Sequence, residues 1–332
     1  MRVQQQTEAF VFVKEEALPL RRRPLPGARV RVFSNADKAN PDLIEYVEGL
    51  DYAVDYTNAS IHRLTGSHIA DWSIHPLYGL VGFDHAKYPD FKNGAFTVYA
   101  EYDYTPEQAD PSIPSVMNKL STLLPRVTKK LQTGEEVVYV VYGDSISTGA
   151  EASQESFAYF RRFADYLCHL FPEGNIRIVN KAKGGETSEG GASRAASDVV
   201  PLQPDLVSIG YGMNDQNQYE HSVGVPPSDF ERNLRHMIET IRSNGDTDIL
   251  LVTPCEPNPL WCYTSGRMDE YADVIRRLGE HYGIGVADVQ PIWKLELAAG
   301  KTSESLLQNN VNHPNDYGHY LYFSAFVNLL GN

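Results

Sequence analysis

Short apolar runs broken by proline, glycine and asparagine fill the first hundred residues, whereas longer runs at strand and helix spacing alternate from residue 137 onward. The early runs are Phe10–Val13, Ala28–Phe33, Tyr52–Tyr56 and Phe96–Tyr102. Alternation of apolar and polar positions in the second and fourth predicts strands with one wet face. A helix finds room only around Asn40–Glu48. The pattern predicts an all-β unit of sandwich or jelly-roll type, closed by a connector through Pro111, Pro114 and Pro125.

Further along, Val137–Tyr142, Ile176–Asn180, Asp205–Gly210, Asp248–Thr253 and Gly285–Asp288 read as strands, and Gln154–Leu170, Pro227–Ser243 and Ser265–Tyr282 as helices. Such alternation implies right-handed crossovers and a parallel sheet covered on both faces. The expected fold class is therefore α/β. A three-layer α/β/α domain with a five-stranded parallel sheet spans 131–332, and a β-rich accessory domain with its connector spans 1–130.

The 332 residues suffice for two domains, and 42% hydrophobic with 22% charged residues is ordinary for a globular chain. The formal net charge of -14 changes the picture more. It argues against nucleic acid and anionic membrane as partners, since both call for a positive face. Arg21-Arg22-Arg23 reads as a solvated loop. The first ten residues lack the apolar stretch of a signal peptide, so the chain as written reads as cytoplasmic. Cys168, Cys255 and Cys262 match neither a disulfide framework nor a metal spacing, and reduced thiols are expected. No cofactor and no metal are expected.

Candidate chemistry begins where Gly143-Asp144-Ser145-Ile146 follows the run Val137–Tyr142, placing a serine at the carboxyl end of a buried strand. Open α/β sheets put their sites at that edge. Downstream come Gly184-Gly185-Glu186-Thr187, then Gly210-Tyr211-Gly212-Met213-Asn214-Asp215, and finally Asn310-Val311-Asn312-His313. A serine hydroxyl needs a base within hydrogen-bond reach, which His313 can supply, and an acyl oxyanion needs fixed donors. The N–H groups of Ser145 and Gly185 and the amide of Asn214 are the candidates. Ser147 stands where the second glycine of a Gly-x-Ser-x-Gly elbow would be, which disfavours the α/β-hydrolase class.

This ordered set resembles the SGNH hydrolases, also called the GDSL family, over about residues 135–332. The resemblance implies an SGNH-type α/β/α domain with Ser145 as nucleophile, Gly185 and Asn214 as oxyanion contributors and His313 as base. Asp144 is expected to anchor the turn and stand near the substrate; Tyr211 and Trp261 are candidates to wall an acyl or sugar pocket. The family places an aspartate three residues before the histidine, where this chain has Asn310. Orientation of His313 then falls to a backbone carbonyl of 308–311, to the Asn310 amide, or to a distant carboxylate such as Glu256 or Asp288.

The layout resembles two-domain carbohydrate esterases with an N-terminal β-sandwich. It implies a serine esterase removing acetyl groups from a small-molecule or oligosaccharide ester through an acyl-serine. The rival readings are a lysophospholipase or thioesterase using the same residues, and an inactive carbohydrate-binding protein. The β-unit is a candidate surface for a homo-oligomer.

Overall fold

The computed structural model describes residues 3–105, 113–219, 222–243 and 245–331. Its first third forms strands β1 (Val3–Val11), β2 (Leu18–Pro19), β3 (Arg31–Phe33), β4 (Glu45–Tyr46), β5 (Tyr52–Asp55), β6 (Ser60–Arg63) and β7 (Thr97–Tyr104). They build an antiparallel sheet in the order β1-β7-β3-β4 and a second in the order β2-β6-β5. Phe10, Val32 and Val98 from the first sheet and Tyr52 and Ile61 from the second, with Leu20 just past β2, share one core, as facing sheets do.

Two expectations for this unit need correction. No helix forms at Asn40–Glu48, because Asp37 and Asn40 accept the N–H groups of Ala39 and Asp42 at 2.9 Å and hold the backbone in turns before β4. The first strand starts at Val3 rather than Phe10, through residues whose polarity hides it. A bulge with Thr7 at φ 56° shifts its register and turns Glu8 inward, fully buried.

The remainder comprises α1 (Ile113–Leu123), α2 (Pro125–Gln132), β8 (Glu136–Gly143), α3 (Tyr159–Leu170), β9 (Asn175–Asn180), α4 (Ser188–Asp198), β10 (Leu206–Gly210), a hairpin of β11 (Gln218–Tyr219) and β12 (Ser222–Val223), and α5 (Pro227–Arg242). Then come β13 (Asp248–Val252), α6 (Met268–Tyr282), β14 (Gly285–Ala287), α7 (Val289–Ala298), α8 (Ser303–Leu306) and α9 (Asp316–Gly331). The five long-range strands pair in parallel in the order β14-β13-β10-β8-β9. Helices α4, α5 and α6 pack in one layer, and α3 with α9 in the other. After β8 the chain goes to β9 on one side and then crosses to β10 on the other. The carboxyl end of β8 is therefore the switch point of the sheet, where a crevice opens.

The connector expected through the prolines is helical where it is described. Pro114 lies in α1 and Pro125 occupies the first turn of α2, where its missing N–H costs nothing, while Pro111 falls outside the described residues. Helix α2 belongs to the second unit. Val127 and Leu131 enter its core, Val127 N–H donates to Asp248 at 2.8 Å, and Lys130 meets Asp205 at 2.7 Å. The boundary expected at 130/131 thus falls inside a helix anchored to the parallel sheet.

The two units are joined by buried ionic contacts. Glu8 meets Lys301 Nζ at 2.8 Å, both side chains at most 2% exposed, and the same ammonium donates to Ala9 O at 2.9 Å. Glu8 also accepts from the Arg21 N–H at 2.8 Å and from Tyr102 Oη at 2.5 Å. Beside it Glu296 accepts from Arg21 and Tyr317. Val11, Trp72, Phe83, Trp261 and Val311 form a further apolar cluster across the same boundary. Among the described residues no helix is long and apolar enough to cross a membrane.

Candidate active site

Strand β8 is buried from Val137 to Gly143, and Ser145 follows two residues beyond its end. Gly143 is required by space: a Cβ there would lie 2.3 Å from Gly210 O and 2.5 Å from Ser147 Oγ. Asp144 is buried and accepts the Ile146 N–H at 3.0 Å, tightening the turn. Asn180, at the end of β9, donates from Nδ2 to Ser147 O at 2.9 Å and ties the turn to the neighbouring strand.

His313 Nε2 lies 2.8 Å from Ser145 Oγ. The loop that carries the histidine is built by Asn309, whose Oδ1 accepts the N–H groups of Val311, Asn312 and His313 at 3.0, 2.9 and 2.8 Å. Gln308 N–H returns to His313 O at 2.8 Å. Burial pulls the imidazolium of His313 below its ordinary value, with Glu151 opposing and Lys92 adding to the shift. The ring is therefore held neutral, the state in which it can accept a proton from serine.

Gly185 stands after β9 at φ +73°, a backbone conformation that favours glycine, and Asn214 stands after β10. Among the described residues the N–H groups of Ser145 and Gly185 donate to no protein group. Asn214 Nδ2 donates to Glu186 O at 3.1 Å, which fixes the amide against the glycine loop and leaves its second hydrogen unengaged. Glu186 is itself clamped by Arg194 and by Tyr211 Oη, the latter at 2.8 Å. Asp215 accepts from Ser188 N–H at 2.9 Å and from Gly212 N–H at 3.1 Å, pinning the start of α4 to the asparagine block.

Four sequence-predicted residues, Ser145, Gly185, Asn214 and His313, thus share the carboxyl edge of β9, β8 and β10. Others do not serve as expected. Asn310, at φ 57°, accepts from Asn258 Nδ2 through both its amide oxygen (2.9 Å) and its backbone oxygen (3.0 Å), so it braces the loop instead of orienting the imidazole. Glu256 is taken up by Gln290, and Asp288 by Arg276. Asp144 and Tyr211 are buried, so neither presents a surface to substrate. Trp261 is only 2% exposed and donates from Nε1 to His85 at 3.0 Å within the inter-unit cluster. Sequence reasoning missed the Glu186–Arg194–Tyr211 clamp and the work of Asn309. For Asp215 a signal existed, since it adjoins Asn214 in the same block.

Residues 141–321, more than half of the chain, match the GDSL-like Lipase/Acylhydrolase family. The chain belongs to that family. It is a carboxylic ester hydrolase. An acetylxylan esterase of Geobacillus stearothermophilus is 28% identical over 220 residues, which cover 61% of this chain and 96% of the relative. Esterase TesA of Pseudomonas aeruginosa is 34% identical over 142 residues, 42% of this chain and 65% of the relative. The crystal structure of the Geobacillus acetylxylan esterase superposes with a TM-score of 0.50 at 27% identity, covering 59% of this chain and 94% of that one. Crystallised catalytic mutants of that relative replace a serine, an aspartate and a histidine, the last two lying three residues apart. Asn310 and His313 have the same spacing here, with an amide in place of the carboxylate.

Burial pushes the Asp144 carboxyl up to about 7, with Asp215 nearby adding and backbone donors opposing. Its folded value lies above the unfolded one near 3.8, so the folded state binds more protons between about pH 4 and 7. The stability it contributes is fully present below about pH 4 and is lost as pH rises through 7. Buried His319, pulled down to about 4, acts in the opposite sense. The test is therefore a comparison of wild type with Asp144→Asn by urea unfolding. The stability of wild type relative to the variant should fall by about 3 kcal/mol from pH 4.5 to pH 7.5. A constant difference would show that Asp144 carries no extra proton.

Proposed function

We propose that this hydrolase removes acetyl and similarly short acyl groups from carbohydrate esters through an acyl-serine intermediate. The observation that carries the reading is the 2.8 Å contact of His313 Nε2 with Ser145 Oγ at the switch point of the sheet. Ser145 Oγ attacks the ester carbonyl while His313 takes its proton. The N–H groups of Ser145 and Gly185 and the Asn214 amide donate to the oxyanion. His313 then protonates the departing sugar oxygen. Water, losing a proton to the same imidazole, attacks the acyl group and releases acetate and the serine.

Two features support a sugar ester over a lipid. The first is the likeness to an acetylxylan esterase. The second is an open groove of about 520 Å³ beside the turn that follows Ser145, with Thr148, Gln154, Glu155 and Asn180 on its polar side and Ala152, Ala158, Phe160 and Ile178 on its apolar side. Gln154 and Glu155 at its open edge suit a hydroxylated acceptor, while Thr148 and Asn180 are engaged with the nucleophile turn.

Steady-state kinetics on p-nitrophenyl acetate, butyrate and octanoate test the acyl range, and release of acetate from acetylated xylo-oligosaccharides tests the acceptor. Acetate is expected to be preferred over octanoate by about ten-fold or more in kcat/KM. Preference for octanoate would support the lysophospholipase or thioesterase reading instead.

A further inference from the structure

The family's aspartate is absent at position 310, and among the described residues the His313 ring bonds Ser145 and neither Asn310, Glu256, Asp288 nor a backbone carbonyl of 308–311. A different carboxylate, Glu151, stands in the turn after the nucleophile, where two pieces of chain converge. The turn after the nucleophile carries Glu151 at φ 65°, an uncommon conformation for a residue with a side chain. Its neighbour Ala150 donates from N–H to Ser145 O at 3.2 Å and accepts from His319 Nε2 at 3.1 Å. Ser153 N–H donates to Asp316 at 2.8 Å. Residue 151 is therefore bracketed between the nucleophile's own carbonyl and the start of α9, three residues beyond His313.

From the other side comes the N-terminal unit. Lys92 Nζ meets Glu151 Oε1 at 2.6 Å. Asn93 Nδ2 donates to Glu304 O at 2.5 Å, and Gly94 lies so close to Gln308 that a Cβ would stand 2.6 Å from its amide nitrogen. Gln308 in turn holds His313 O. The segment carrying Lys92 thus runs along the histidine loop.

We propose that Glu151, held by Lys92 of the N-terminal unit, is the electrostatic partner of His313, supplying through space the negative charge that Asn310 cannot. The proposal rests on the reading of His313 as general base. The charged groups acting on the imidazole are Glu151, which favours its protonated form, and Lys92, which disfavours it. Of the titratable groups packed below, His319 is neutral above about pH 4, and Asp316 is engaged with Ser153. Glu151 thereby stabilises the imidazolium that forms as serine attacks, which is the aspartate's task in a triad.

The test compares wild type, Glu151→Gln and Lys92→Met by the pH profile of kcat/KM on p-nitrophenyl acetate and by NMR titration of ¹⁵N-labelled histidine, with His313→Ala assigning the signal. Lys92 is largely exposed, Glu151 lies at the rim, and such pairs contribute little to stability, so both variants should fold. In Glu151→Gln the acid limb and the His313 titration should move to lower pH by about half a pH unit or more, with kcat/KM at pH 7 down about three- to ten-fold. In Lys92→Met both should move to higher pH. Each variant breaks the same ion pair, so a merely structural brace would displace both in one direction. Displacement in the same direction, or none while the limb follows His313, overturns the proposal alone. A wild-type limb that ignores the His313 titration overturns the base reading, and the proposal with it.

Discussion

Ser145→Ala is expected to lower kcat/KM on p-nitrophenyl acetate by about 10⁴-fold or more, with the melting temperature within about 2 °C of wild type. The size follows from the geometry. Ser145 Oγ is hydrogen-bonded to His313 Nε2 at 2.8 Å, and the oxyanion donors around it have nothing to stabilise once no bond forms to the carbonyl carbon. Nucleophile and base act as one unit, so the Ser145→Ala/His313→Ala protein should be no slower than either single variant. The fold should tolerate the change, because the hydroxyl sits at the rim of a turn that Asp144 and Asn180 hold independently. Labelling by a fluorophosphonate, quantified by intact mass, should disappear. Activity within ten-fold of wild type would remove Ser145 from the mechanism and leave the contact with His313 a packing detail.

Lys301→Met should cost about 3–5 kcal/mol of unfolding free energy, read from urea midpoints at constant m-value. The ammonium is sealed between the two units, and it compensates Glu8, whose oxygens also take a backbone N–H and the Tyr102 hydroxyl. Methionine fills the space of the stem and withdraws the charge, stranding a buried carboxylate. Burial itself pulls the Lys301 pKa down, with Glu8 as the chief opposing influence. Glu8→Gln/Lys301→Met should therefore be more stable than the sum of the single changes predicts, and the coupling in such a cycle measures the pair. A loss below about 1 kcal/mol in Lys301→Met would mean that water reaches Glu8.

The parallel sheet was legible because its central strands are continuous apolar runs, and all five lie within two residues of the expected positions. The four chemical blocks were legible for the same reason, each being short, local and set beside a recognisable element. What escaped reading depends on distant partners. Helix α4 is rich in serine and glycine, poor helix formers; it holds because Asp215 caps its start and Arg194 is clamped by Glu186 and Tyr211. Strand β1 looks polar, yet Glu8 is buried because Lys301 waits almost 300 residues away. Aromatic residues beside the motifs, Tyr211 and Trp261, looked like pocket walls because type alone does not distinguish a buried ring from an exposed one. Asn310 was picked for its spacing, while the loop's shape comes from its neighbour Asn309.

The seam between β1 and the 301–305 segment has a consequence for how the molecule is born. Val11 N–H donates to Ser305 Oγ at 3.1 Å across 294 positions, and Ala9 receives Lys301 across 292. At ribosomal speeds of about 5–20 residues per second, β1 emerges roughly 15–60 s before the groups that neutralise and cover it. Throughout that interval Glu8 can remain hydrated only if the bulge around Thr7 has not yet closed over it. Strand β1 is thus sealed long after it is made, and a ribosome-bound chain stopped short of Lys301 would still present that edge to its surroundings.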